Sequence, residues 1–169
     1  VVDSVDIPGM AWGGVSDGRG LMAVLSLGAE GVIMGTRFLT ATECPLHDRI
    51  KEALVASSEL DTMLVMRSVG NTHRVWKNKA AETTAEMESK GASLEELMGV
   101  VSGDKARELY FGGDPDAGLL ACGQGIGLVH RVQPAAEIVS RVMEEAAEVR
   151  RRITALEIGR NPGGRNESD

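Results

Sequence analysis

Apolar positions in this chain come in short blocks punctuated by glycine. Residues 7–11 read as a strand that runs into Trp12-Gly13-Gly14. Leu21, Val24 and Leu25, with Leu27 on the same flank, then recur at helical spacing, and Gly28 fits the C′ position that ends such a helix. Val32, Ile33 and Met34 make a short, wholly apolar strand of the kind buried on both faces, and Gly35-Thr36 repeats the glycine turn. Strand, glycine turn, helix, strand, glycine turn is the pattern of successive βα units in a parallel sheet.

Further along, a helix is predicted over 46–57, with Pro45 in its first turn and Ile50, Ala53 and Leu54 as its buried stripe. Residues 62–67 form a strong short strand ended by Gly70-Asn71. The segment 72–79 reads as the start of an amphipathic helix, with Val75 and Trp76 packed inward and His73, Arg74, Lys77 and Lys79 solvated. That helix is expected to reach Ser89 and close at Lys90-Gly91. Ser93-Leu-Glu-Glu96 fits a capping box for the next helix, and another begins near Ser102 with Tyr110 and Phe111 near its end. Residues 112–118 form a turn and 119–122 a short apolar run. Gly123-Gln-Gly-Ile-Gly127 lacks the spacing of a dinucleotide fingerprint and no full βαβ unit follows it, so it reads as a glycine-rich return segment. The clearest helix comes last. Pro134 stands in its first turn, Ile138, Val142, Ala146, Val149, Ile153 and Leu156 recur every three or four residues, and Glu137 and Arg150 to Arg152 complement its dipole. The tail from Gly159 has no apolar residue to bury and is expected to be disordered.

Two glycine turns after two neighbouring strands suit one chemistry in particular. A (β/α)8 barrel binds phosphate there, because the loops after its last two strands present free backbone N–H groups beside a helix N-terminus. Gly13 and Gly14 allow the backbone to turn sharply and approach a bulky anion. Ser16 or Asp17 can cap the helix that starts near Gly18, leaving other N–H groups of its first turn to the ligand. Thr36 adds a hydroxyl. Plain structural turns also use glycine, but two in register favour a phosphate grip.

Composition narrows the partners. The chain has 169 residues, 43% hydrophobic and 25% charged, ordinary values for a globular domain. Its net charge of −7 argues against nucleic acid or an anionic membrane, and 3% aromatics leaves few stacking platforms for bases. No signal peptide and no apolar run near ~20 residues is present, so no membrane span is expected. Cys44 and Cys122 form neither a CxxC pair nor a disulfide framework, which makes the reducing cytoplasm the expected compartment. Cys44 and His47 have a spacing that can suit a metal, but no second ligand pair accompanies them, so His47 is read as capping or solvated and no metal is assigned.

The run from Gly13 to Gly20 followed by Leu27 to Phe38 resembles the C-terminal barrel half of the nitronate monooxygenases, formerly 2-nitropropane dioxygenases. The likeness continues through Arg67 to Lys79, Gly112 to Gly118, Cys122-Gly-Gln124 and Pro134 to Val139, and covers roughly residues 5–150. It implies an FMN-dependent barrel that oxidises alkyl nitronates with O2 to carbonyl compound and nitrite. Carried over by position, Gly14, Ile33, Met34, Gly35 and Thr36 match FMN-binding positions, with Gly13 beside them. The glycine-rich return to the barrel mouth adds Gln124 as a candidate polar contact to flavin or substrate. Trp12 stands where the family has a small residue, so an indole is expected to crowd the cofactor. His73, Arg74, Lys77 and Lys79 would, on this reading, reach an anionic substrate or the FMN phosphate.

The implied fold is α/β, the C-terminal portion of a (β/α)8 barrel with a small, mainly helical second domain before the final helix. Residues 1–58 would supply barrel units and the phosphate site, 59–118 the domain covering the mouth, 119–158 the return segment and final helix, and 159–169 the tail. A closed barrel takes about 250 residues, so the chain is expected to be part of a longer protein or a truncated product, with uncovered strand edges that make it unstable or oligomeric. The family's catalytic histidine sits in a glycine-rich loop of an earlier strand. None of His47, His73 and His130 lies in such a setting, and no catalytic residue is assigned. Two alternatives remain: an FMN-dependent enoyl-(acyl-carrier-protein) reductase with a nicotinamide donor, and a non-catalytic phosphate-binding fragment.

Overall fold

The computed structural model describes residues 2–156. After a 3-10 turn at Val2–Ser4 come β1 (Met10–Trp12), α1 (Gly18–Ser26), β2 (Gly31–Ile33) and the short α2 (Thr36–Leu39). β1 and β2 pair in parallel, Met10 opposite Gly31 and Trp12 opposite Ile33. This βαβα run is the repeating unit of a parallel barrel wall. The first strand begins three residues later than its apolar pattern suggests, because Pro8 has no N–H to give a ladder. α1 ends as the sequence implies, with Leu27 as C-cap and Gly28 at φ 93°.

The middle of the chain holds α3 (Asp48–Val55), β3 (Thr62–Val65), β4 (His73–Trp76), α4 (Lys79–Ser89), α5 (Leu94–Val101) and α6 (Gly103–Arg107), which widens into a π turn at Glu108–Gly112. Two expectations are corrected. Pro45 lies ahead of α3, whose N-cap is His47, the Nδ1 accepting from the Arg49 N–H at 3.2 Å. The segment 72–79 is mostly strand: β4 pairs antiparallel with β3, and its other edge meets Ala121, with the Trp76 N–H donating to Leu120 O at 2.9 Å and the Cys122 N–H to Arg74 O at 3.2 Å. Pairing on both edges outweighs local helical periodicity, while Val75 and Trp76 still turn inward at 2% and 8% exposure. The Ser93/Glu96 capping box forms in full, and α4 closes at Lys90 and Gly91.

A 3-10 turn at Gln124–Leu128 precedes the last helix, α7 (Ala135–Thr154). Glu43 accepts from the Ala135 N–H at 2.9 Å, supplying the side-chain cap that Pro134 cannot. Ile138, Val142 and Ala146 are its buried stripe, whereas Ile153 and Leu156 are exposed. The expected disordered tail lies outside the described residues.

Apolar packing divides into three clusters. The largest joins Leu46, Ile50 and Leu54 around α3 to Trp76, Leu109, Leu120 and Ile126; a second gathers Val65, Val75, Ala81 and Leu97. The barrel unit has the smallest, Leu21 against Val142 and Ala146. Its strands are not covered: Met10, Trp12 and Ile33 are 55%, 81% and 50% exposed, so the doubly buried strand expected at 32–34 is open on its inner face.

α1 crosses α7 closely at Gly18, where a Cβ would lie 2.5 Å from Val142 O and clash with the Ala146 backbone. Gly18→Ala must push the helices apart, and a loss of about 1–3 kcal/mol is expected from the overpacking. Gly35→Ala, which meets no atom within 4 Å, should leave stability unchanged. Urea unfolding of both variants checks the contrast; equal stability would remove the close crossing.

Candidate functional site

Three glycine turns that are far apart in sequence meet in space. The first, after β1, contains Gly13 and Gly14 at φ 97° and 74°, a left-handed backbone that glycine adopts without strain. The second is Gly35-Thr36, at the end of β2 and start of α2. The third is the return segment, 123–127. The Gly123 N–H donates to Thr36 Oγ1 at 2.9 Å, tying the third turn to the second. Gly125 lies so close to Ser16 that any Cβ there would collide with the serine hydroxyl, tying the third turn to the first.

Together they wall a cavity of about 490 Å3, within the range of small-molecule and cofactor sites. Of the residues proposed from sequence, Gly13, Gly14, Ile33, Gly35 and Thr36 line it. Met34 does not: it packs on the opposite face against the Leu21, Val142 and Ala146 cluster, as strand alternation requires. Gln124 is exposed and outside the lining, although its neighbours Gly123 and Gly125 belong to it. Trp12 stands at the rim, highly exposed. A Cβ added at Gly13, Gly14 or Gly35 would meet no atom within 4 Å, so the backbone of both turns fronts open space. Thr36 Oγ1 accepts from Gly123, and its rotatable O–H reaches the Cys122 thiol.

One part of the expected grip is already committed. Asp17 caps α1 through the Gly20 N–H at 2.9 Å, and Glu145 of α7 accepts from the Gly18 N–H at 3.0 Å. Those first-turn N–H groups are therefore not offered to a ligand, and the free backbone of the site is that of the glycine turns. Burial works to raise the Asp17 carboxyl, but the hydrogen bonds from Gly20 and Arg19 outweigh it and hold it below its ordinary value.

Of the far wall, the sequence pointed only to Arg74, as one of four basic residues that would reach an anion. That wall comes from Leu39, Arg74, Tyr110, Ala121 and Cys122. Arg74 is the one charged side chain in the lining; its Nη1 donates to Thr62 Oγ1 at 2.9 Å, and no carboxylate pairs with it among the described residues. His73, Lys77 and Lys79, its basic neighbours, are exposed and outside the cavity. Burial, then the neighbouring Cys44 and Cys122, raises the Tyr110 phenol, which stays a hydrogen-bond donor. None of His47, His73 and His130 lines the cavity. Among the described residues no cluster of three metal-ligating side chains occurs, and no helix is long and apolar enough to cross a membrane.

Comparison with known proteins follows the same geometry. The nitronate monooxygenase family model matches residues 1–145. A probable nitronate monooxygenase of Staphylococcus haemolyticus (strain JCSC1435) is 43% identical over 88 residues, which is 52% of this chain and 25% of that protein. Among solved structures, FabK from Thermotoga maritima is similar at a TM-score of 0.79 and 32% identity, over 90% of this chain and 48% of that one. A nitroalkane oxidase from Streptomyces ansochromogenes follows at 0.68 and 27%, over 89% and 42%. The fold is thus part of an α/β barrel of the kind that FabK and the nitroalkane oxidase share. Among such barrels the chain belongs to the nitronate monooxygenase family. It spans about half the length of the solved structures it matches, and the matched stretch is a quarter of the curated relative.

Cys122 gives the site a chemical marker. Burial pushes its thiol up to about 12 from 9.0, despite a Thr36 hydrogen bond that works the other way. A raised pKa means the folded state holds the proton more tightly. Its stabilising contribution is therefore complete below about pH 9 and is lost as pH rises toward 12. Because the thiolate is the reactive form, native Cys122 is expected to label at pH 8 on the order of a hundredfold or more slowly than in urea. Mass-spectrometric mapping of the modified cysteines checks this, and equal labelling in both states would contradict it.

Proposed function

We propose that the cavity between the three glycine turns is an FMN site, with the phosphate held by the backbone of Gly13, Gly14, Gly35 and Thr36 and by the Thr36 hydroxyl. The observation that carries this reading is the open space in front of both glycine turns, which leaves unblocked backbone at the end of two adjacent parallel strands. When bound there, FMN would supply the electron acceptor for oxidation of a small organic anion, with O2 as final oxidant.

The chain's own residues suit an anionic substrate. Arg74 brings a positive charge to the mouth of the cavity, held in place by Thr62. The protonated Tyr110 phenol adds a donor to the same wall. Ile33, Leu39 and Val15 leave part of the lining apolar, fit for an alkyl group. An alkyl nitronate has these three features, negative oxygens, small size and an alkyl tail. Oxidation of alkyl nitronates to carbonyl compound and nitrite is therefore the proposed activity. No residue of this chain is assigned as the base that a neutral nitroalkane needs, since no histidine lines the cavity. Residues 59–118 are proposed to shield the mouth, and Trp12 to stack beside the bound ring. A second reading, FMN-dependent reduction of an enoyl-(acyl-carrier-protein) by a nicotinamide donor, is favoured by the likeness to FabK.

The test is flavin retention after incubation of the chain with FMN and removal of free cofactor. The unmodified chain should keep a flavin absorbance band. Gly35→Val, whose Cβ would meet no protein atom within 4 Å, should weaken binding about tenfold or more, the cost of lost hydrogen bonds to a charged oxygen. Oxygen uptake with an alkyl nitronate then supports the first activity and nicotinamide oxidation with an enoyl thioester the second. Retention unaffected by Gly35→Val would contradict the site.

A further inference from the structure

Behind the glycine turns lies a second cavity, of about 230 Å3, between the start of α1, α2, the 128–133 segment and α7. Ser16 lines both cavities, so one turn separates them. In a chain of net charge −7, this lining carries four arginines: Arg19, Arg37, Arg131 and Arg141. Two of these have acidic partners. Asp17 pairs with Arg19 at 2.6 Å and Glu145 with Arg141 at 2.9 Å. Both carboxylates also accept backbone N–H groups of α1, from Gly20 and Gly18, and are thereby fixed in those roles. Arg37 and Arg131 have no carboxylate within ion-pair distance among the described residues.

Arg37 is the unusual member. It is only 6% exposed, and a buried charge without a counter-ion is costly. Its Nη2 donates to Gln133 Oε1 at 2.9 Å and its Nη1 to Thr40 Oγ1 at 3.4 Å; both acceptors are neutral, and three of its five N–H donors remain. Burial works to lower its pKa, Arg141 adds to that, and Glu145 opposes it. Arg131 is exposed and reaches the same cavity from the segment that leads into α7.

We propose that this cavity is a second anion site, separate from the flavin cavity, in which Arg37 and Arg131 take a doubly charged tetrahedral oxyanion: inorganic phosphate or the head of a small phosphate monoester. Two uncompensated positive charges match a dianion. The guanidinium fork matches the spacing of phosphate oxygens, which a chloride ion cannot exploit. An anion bound here bridges α2 to the start of α7 and backs the first glycine turn through Ser16. The site therefore helps hold the turn that faces the other cavity.

The test is a calorimetric titration of the full chain at low ionic strength with inorganic phosphate and, separately, glycerol 3-phosphate. Arg131→Gln removes an exposed side chain, so folding is spared, and should weaken binding about tenfold or more. Gly35→Val should leave the Arg131-dependent part of phosphate binding unchanged, since Gly35 lines only the flavin cavity. Equal binding of both probes through Arg131 assigns the ester head, and binding of inorganic phosphate alone assigns the free ion. Absence of phosphate binding overturns the proposal. So does binding that Gly35→Val weakens and Arg131→Gln does not, since the phosphate would then sit in the flavin cavity. Flavin retention is measured on the same variants, and Arg131→Gln should leave it intact, so the two sites fail or stand separately.

Discussion

The hydrogen bond from the Gly123 N–H to Thr36 Oγ1 joins parts of the chain that are 87 positions apart, and the site depends on it. With the Gly125–Ser16 contact, that link makes the βαβα unit and the return segment two walls of one cavity. Glycine in the return segment lets the walls come this close. Gly125 must let Ser16 approach, and Gly123 brings its backbone within reach of a threonine at the start of α2. The Thr36 hydroxyl that accepts this bond also reaches the Cys122 thiol, so one short side chain ties two walls of the cavity together.

The division of the core explains why this link matters. α1 and α7 are held mainly by Leu21, Val142 and Ala146, while the large cluster around α3 lies elsewhere. The barrel strands face outward with Met10, Trp12 and Ile33 exposed, so apolar burial alone positions them weakly. Polar connections take over: Glu145 on Gly18, Glu43 on Ala135, Gln133 on Arg37, and Thr36 on Gly123. Each crosses between the βα unit and the C-terminal part of the chain. Such bonds fix direction as well as distance, as a site built from backbone groups requires.

Much of this was legible in the residues. Glycine after two apolar strands, the Gly28 stop, the capping box at Ser93 and the spacing from Ile138 to Ala146 each record a local physical constraint, and each appears where the pattern implies. The segment 72–79 was misread because Val75 and Trp76 satisfy a helical stripe as well as a strand. The deciding factor was pairing with residues 62–65 and 120–122, which no local window contains. Met34 was counted with the grip by position, yet strand alternation turns it away from Ile33. Arg74 was a candidate among four basic residues, but Tyr110 and Cys122 carried no mark as a wall, because only tertiary contact brings them opposite Gly14 and Gly35. Arg37, two residues beyond the Gly35 turn in the four-residue α2, carries no sequence mark of its burial.

The central claim is that the glycine turns grip a phosphate. Amide NMR spectra of the chain with FMN and with riboflavin, which lacks the phosphate, test it most directly. The account predicts that FMN shifts the amides of Gly13, Gly14, Gly35, Thr36 and Gly123, and that riboflavin leaves the first four nearly unmoved. Identical shifts with both flavins, or shifts confined to residues away from these turns, would contradict it.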